Sequence, residues 1–178
     1  FVDVGAGNGV SGSVSHLFDL SGWRGICVEP HPQLYLECLR HRPRNRVLHV
    51  ALARRGSWSI GNFVVVFGND EASFLATQTS ALDRVKRDGK RVAQTSVPVA
   101  FLDVFLDAHE GPVDFVNLDV NGSEVDVLDG FSLTRFRPNV LLIADYSGGS
   151  DPRVEDWMAR ASYRKIARIA HKDVYVAQ

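Results

Sequence analysis

The chain opens with FVDVGAGNGVSG, Phe1 to Gly12, a short apolar strand that runs into Gly5, Gly7 and Gly9. Glycine this dense costs backbone entropy on folding, so the turn must bend sharply or come closer to something than a Cβ allows. A strand, a glycine-rich turn and then a helix form a ligand-binding arrangement. The glycines let the backbone approach the ligand, and the helix N-terminus presents free N–H groups. Such a turn belongs in a parallel α/β sheet.

The rest of the chain keeps that rhythm. RGICVEP and RVLHVALA read as the second and third strands. VSGSVSHLFDLSG reads as a helix with Val14, Leu17 and Phe18 inward, and PQLYLECLRHR as another with Leu34, Leu36 and Leu39 partly buried. SWSIGNFVVVFGND then reads as two strands around Gly61-Asn62. EASFLATQTSALDRVKRDGKRVAQ has no clean period and reads as an insertion over one end of the sheet, about 58–94. After a short strand, TSVPVAFLDVFLDAHEG predicts a helix packed through Phe101, Leu102, Phe105 and Leu106. VDFVNLDV and NVLLIADY are further strands, separated by the helix SEVDVLDGF, which Gly130 stops. Asp151 caps the next helix, with Pro152 in its first turn. YRKIARIA and DVYVAQ close the chain as an antiparallel hairpin around His171-Lys172. One domain is expected over 1–178. Phe1 lies inside a strand, which reads as a slice of a longer chain lacking an N-terminal segment.

Composition narrows the partners. The 178 residues carry a formal charge of −1, which argues against nucleic-acid or anionic-membrane binding. Arg40, Arg42, Arg44 and Arg46, with Arg54 and Arg55 beyond, read as a solvated helix end and loop. Cys27 and Cys38 make no disulfide framework, and a reducing, cytoplasmic setting is the simplest inference. No apolar run approaches the roughly 20 residues needed to span a bilayer, and no signal peptide is visible.

Two ligand classes compete for the glycine turn. A dinucleotide site wants G-x-G-x-x-G, and Val10 stands where its third glycine belongs. The spacing here is Asp3-x-Gly5-x-Gly7-x-Gly9, the one expected for S-adenosylmethionine. Glu29 closes the second strand, where a carboxylate accepts hydrogen bonds from both ribose hydroxyls of a nucleoside. Both cofactors carry that ribose, so Glu29 does not separate them.

The third element is LDVNGSEVDVLDGF, Leu118 to Phe131. With DVGAGNG (Asp3 to Gly9), VEPHP (Val28 to Pro32) and the lead-in VPVAFLDVFL, it resembles the FkbM family of S-adenosylmethionine-dependent methyltransferases. The resemblance covers nearly the whole chain in order. It implies a Rossmann-like class I methyltransferase fold, a mostly parallel seven-stranded sheet whose last strand is antiparallel. It implies O-methylation of a hydroxyl on a sugar, glycan or natural-product acceptor. Two positions depart from the family pattern: Asn121 replaces the usual Glu, and Asn117 the usual Lys.

The roles expected from this are as follows. Gly5, Ala6, Gly7 and Gly9 flank the cofactor's tail and sugar, and Asp3 meets its ammonium directly or through water. Glu29 and Pro30 hold the ribose side, and Ala51 and Leu52 lie by the adenine. Asp119 faces the methyl-transfer side while capping the following helix, Asn121 still hydrogen-bonds there, and Glu124 and Asp145 complete the catalytic set. Adjacent Asp119 and Asp145 invite Mg²⁺, but two carboxylates are too few and no metal site is assigned. Trp58, Phe63, Phe67 and Phe74 are candidates for an acceptor pocket or for core. His31 reads as a cap or surface residue, and His49 as a packed one. His16, His41, His109 and His171 have no neighbours in sequence that suggest chemistry. The rival functions are an NAD-linked oxidoreductase and a non-catalytic binding module, the latter motivated by Asn121.

Overall fold

The computed structural model describes residues 1–107, 111–149 and 152–178. Asp151 and His109 lie outside the described residues, so the expected cap and the reading of that histidine do too. The main sheet has seven strands. In chain order they are β1 (Val2–Val4), β2 (Ile26–Val28), β3 (Arg46–Leu48), β8 (Phe115–Leu118), β9 (Val140–Ala144), β10 (Tyr163–Ile169) and β11 (Lys172–Ala177). Their spatial order is β10-β11-β9-β8-β1-β2-β3, and only β11 runs against its neighbours. This is the mostly parallel seven-stranded sheet with an antiparallel last strand that the resemblance implies.

Strands β1, β2 and β8 are buried throughout, as parallel strands covered on both faces must be. The chain winds outward from β1 through β2 to β3, then returns to place β8 on the other side of β1. A crevice opens at such a reversal, beyond the C-terminal ends of the strands. The larger apolar core, from Val2 and Ile26 to Leu128, Leu141 and Met158, lies on one face. Phe1, Cys27, Cys38, Phe115 and Leu142 form a smaller one.

A second sheet of four strands, order β4-β7-β5-β6, stands over the crevice. It consists of β4 (Ala51–Leu52), β5 (Ser59–Val66), β6 (Phe74–Leu75) and β7 (Val92–Ala100). RVLHVALA is thus two strands: β3 pairs in the main sheet and β4 in the second. The segment from Trp58 to Gln94 builds most of the second sheet. The expected turn at Gly61-Asn62 does not form, because β5 pairs with β7 from Ser59 to Val66 without a break. Gly61 serves packing instead: a Cβ there would fall 2.6 Å from Val99 Cγ2. Helix α3 (Thr79–Arg87), read as aperiodic, buries Ala81 and Val85 under this sheet at helical spacing.

The helices also depart from their patterns in two places. Helix α1 is only His16–Leu20, since Gly7, Gly9 and Gly12 all sit at positive φ and hold the chain out of a helix. Leu17 is 70% exposed, and Phe18 packs on Trp23 and Phe115. In α2 (Pro32–His41) the buried line is Leu34 and Cys38, not Leu36 and Leu39. The i, i+4 step carries that line on to Arg42, which is wholly buried. The described remainder of the main domain is α4 (Asp103–Leu106), α5 (Glu124–Asp129), α6 (Leu133–Phe136) and α7 (Pro152–Arg160).

Candidate active site

The crevice encloses about 1070 Å³ between its walls, part of it open to solvent. The glycine turn forms one wall. Gly5 and Ala6 donate their N–H groups to Val28 O at 2.9 and 3.1 Å, tying the turn to β2. Gly5 has φ +80°, and a Cβ there would lie 2.0 Å from the carbonyl oxygen of Asp119. Only glycine lets the ends of β1 and β8 approach so closely. Gly7, at φ +57°, also lines the crevice, and a Cβ there would meet nothing nearer than Ser11 O at 4.0 Å.

Gly9 and Asp3 do not reach the crevice wall. Gly9 faces α2, where a Cβ would touch Cys38 Sγ and Arg42 Cγ at 3.0 Å. Asp3 is fully buried, and its carboxylate accepts from Asn117 Nδ2 at 2.7 Å, Ser13 Oγ at 2.9 Å and Ser15 Oγ at 2.6 Å. It braces the turn from behind instead of presenting oxygens to a ligand. Arg42 completes that brace. Its guanidinium donates to the carbonyls of Gly9 and Ser15 and to the Ser13 hydroxyl, and lies 3.4 Å from Asp19. The arginine run is therefore not uniformly solvated. Asp19 sits between Arg42 and the more exposed Arg44. Burial raises its pKa, but Asn45 and the two arginines outweigh that and hold it below the ordinary range.

Glu29 is buried at the end of β2. Its Oε2 accepts from Gly7 N and its Oε1 from His31 N, each at 2.8 Å. These bonds aim the carboxylate along the crevice, whose wall it forms with Pro30. His31 is the N-cap of α2, with Nδ1 accepting from Leu34 N at 3.4 Å. His49 is packed against Tyr35, ring centroids 4.7 Å apart. Ala51 and Leu52 join Val50, Phe63, Phe74 and Leu75 as an apolar lining. Of the four candidate pocket aromatics, Phe63 and Phe74 line the crevice. Trp58 is 72% exposed beside a separate apolar hollow, and Phe67 lies under the Arg91 guanidinium.

At the other end, β8 delivers Asp119 into a charged cluster. Its Oδ2 lies 2.8 Å from Lys172 Nζ and 3.0 Å from His171 Nε2, and its Oδ1 accepts from Tyr146 Oη at 2.7 Å. Burial pushes the Asp119 pKa up, but Lys172, His171 and Tyr146 together prevail and leave it below the usual carboxylate range. Lys172 also donates to Asn117 Oδ1 at 2.9 Å. Asn121 lines the crevice with φ +57° and donates to Ser73 O at 3.2 Å.

Two expected members of the catalytic set are elsewhere. Glu124 Oε1 accepts from Val120 N and Gly122 N at 3.1 and 3.2 Å, so it closes the loop before α5. Its burial raises its pKa against those bonds. Asp145 faces Arg168, 3.6 Å away, and Ser147 N, so it does not pair with Asp119. The sequence overlooked Arg42, Tyr146, His171 and Lys172. For Arg42 the signal was present, in its helical step from Leu34 and Cys38.

Residues 3–165 match the family described as the methyltransferase FkbM domain. No curated protein matches the sequence. Among solved structures, a TehB-like SAM-dependent methyltransferase from Corynebacterium glutamicum is similar at 9% identity, with a TM-score of 0.46. The similarity spans 99% of this chain and 79% of that one. With more than four-fifths of its sequence inside the matched span, the chain belongs to the FkbM methyltransferase family.

Proposed function

We propose that the chain transfers a methyl group from S-adenosylmethionine to a hydroxyl on a sugar, glycan or natural-product acceptor. The observation that carries this reading is the Glu29 carboxylate, buried yet lining the crevice, with both oxygens aligned by backbone N–H groups. A carboxylate at a strand end accepts hydrogen bonds in pairs, which suits the two hydroxyls of a ribose. The apolar walls from Val50 to Leu52 and at Phe63, Phe74 and Leu75 suit a flat purine. The open space at Gly7 leaves room for a charged tail.

When bound, S-adenosylmethionine supplies an electrophilic methyl on a positively charged sulfur. The protein's share is to hold that methyl in line with an acceptor and keep water out, which contributes about 7–11 kcal/mol in well-oriented reactions. Tyr146 and His171, both exposed in part, line the crevice on the side where the acceptor would lie. Both cysteines are free and buried, in keeping with a reducing, cytoplasmic setting. Among the described residues no helix is long and apolar enough to cross a membrane.

Calorimetric titration with S-adenosylhomocysteine tests the reading. Wild type should bind, and Glu29→Ala should lose at least about tenfold in affinity, near 1.4 kcal/mol for one charged hydrogen-bonding partner. A wild-type chain that binds NADH but not S-adenosylhomocysteine would overturn it.

A further inference from the structure

The rim of the crevice carries a histidine that nothing around it in the sequence singles out. His171 lies in the turn between β10 and β11, its side chain 41% exposed, and lines the crevice. Its ring stacks on Tyr146, centroids 4.8 Å apart and planes 17° from parallel. Its Nε2 is 3.0 Å from Asp119 Oδ2, and among the described residues nothing bonds its Nδ1.

Four titratable groups gather at the end of β8, and three are committed. Asp119 is engaged by Tyr146, Lys172 and His171, and a carboxyl held below its ordinary range is a poor proton acceptor. Tyr146 donates a hydrogen bond from its hydroxyl to that carboxylate, and burial with the Asp119 charge pushes the phenol pKa up, so it stays protonated. Lys172 donates to Asn117 and Asp119 at once. Nearby, Glu124 is turned into its loop and Asp145 toward Arg168. His171 is left. An ionised carboxylate only accepts, so a neutral imidazole facing it carries its proton on Nε2 and a lone pair on Nδ1.

Building on the methyl-transfer reading above, we propose that His171 is the general base of the reaction, with Asp119 fixing its tautomer through Nε2. The acceptor oxygen forms its bond to the methyl carbon as the carbon–sulfur bond breaks, the electron pair staying with sulfur. The hydroxyl proton passes to Nδ1, and the resulting imidazolium lies against the Asp119 carboxylate. Lys172 and Tyr146 act as positioning residues: they hold Asp119 ionised and in place, and Tyr146 backs the imidazole plane.

Two measurements on the full chain test this. Long-range ¹H–¹⁵N spectra of ¹⁵N-histidine-labelled protein should show neutral His171 as the Nε2–H tautomer; a dominant Nδ1–H tautomer overturns the proposal. Transfer from radiolabelled S-adenosylmethionine to methyl glycosides and phenols should fall about 10²–10⁴-fold in His171→Gln. Glutamine keeps a donor for Asp119, so S-adenosylhomocysteine affinity should stay within about threefold of wild type. A variant that binds normally and transfers as fast as wild type overturns the proposal alone. A wild-type chain that binds no S-adenosylhomocysteine overturns the methyl-transfer reading and this proposal with it.

Discussion

Replacing Arg42 with methionine keeps most of the side-chain volume and removes the guanidinium behind the glycine turn. The site is wholly buried, so no water replaces the lost donors. Asp19 keeps Arg44 at 2.9 Å, so the main loss is not an orphaned carboxylate. It is the carbonyl of Gly9 and the hydroxyl of Ser13 that lose their donor, while Ser15 O keeps the Asp19 N–H at 3.1 Å. A buried acceptor left unsatisfied costs about 1–3 kcal/mol, and breaking a buried ion pair about 3–5 kcal/mol. Since Asp19 stays paired, the expected loss is about 3 kcal/mol. With a urea dependence of about 2 kcal/mol per molar, the unfolding midpoint should drop by about 1.5 M. Arg42→Lys keeps the charge but not the fork and should recover less than half of that. The turn that Arg42 braces also carries Gly7, whose N–H aligns Glu29. Affinity for S-adenosylhomocysteine should therefore fall in Arg42→Met even at temperatures where the chain is folded. A midpoint within about 0.3 M of wild type, with unchanged affinity, would refute the claim that Arg42 shapes the turn.

Other predictions follow the same geometry. Gly5→Ala places a Cβ against the Asp119 carbonyl at positive φ and should cost more than about 4 kcal/mol, whereas Gly7→Ala, facing open space, should cost only about 1–2 kcal/mol; urea unfolding of the pair checks this. Lys172→Met strips one partner from half-buried Asp119, which keeps Tyr146 and His171, and should destabilise by about 1–3 kcal/mol near neutral pH. Because the folded Asp119 pKa is lowered, its stabilisation exists above the ordinary carboxylate range and vanishes as pH falls through the folded value, so the gap between the two proteins should close in acid. Glu124 has the opposite sign: with its folded pKa raised, stability is lost as pH rises through that value. Glu124→Gln retains an oxygen for Val120 N and Gly122 N and should become more stable relative to wild type at pH 8 than at pH 4, read by thermal unfolding.

The sequence carried the parts of the site that are local to one strand end. Gly5, Gly7 and Glu29 each sit on a turn fixed by its own strand, so spacing sufficed to place them. Asp3 misled because a carboxylate at a strand end was assumed to face outward, while Ser13 and Ser15 fold back over it. Gly61 misled because a glycine inside a strand pattern admits either a turn or close packing, and only the Val99 contact decides. His171 and Lys172 were out of reach. They meet Asp119 because β11 pairs with β9 beside β8, a juxtaposition across most of the C-terminal half that no local pattern encodes. The seven-stranded sheet with its antiparallel last strand was an implication of the family resemblance, and the residues themselves marked most of its strands as short apolar runs, while their spatial order comes only from the pairing.

The central claim is that the crevice between the glycine turn and Glu29 holds the methyl donor with its sulfur turned toward the Asp119 cluster. A crystal structure of the full chain with S-adenosylhomocysteine tests it most directly. The account predicts both ribose hydroxyls within hydrogen-bond reach of the Glu29 carboxylate and the sulfur on the side of Asp119 and His171. A nucleoside bound elsewhere, or bound there with its sugar away from Glu29, would contradict it.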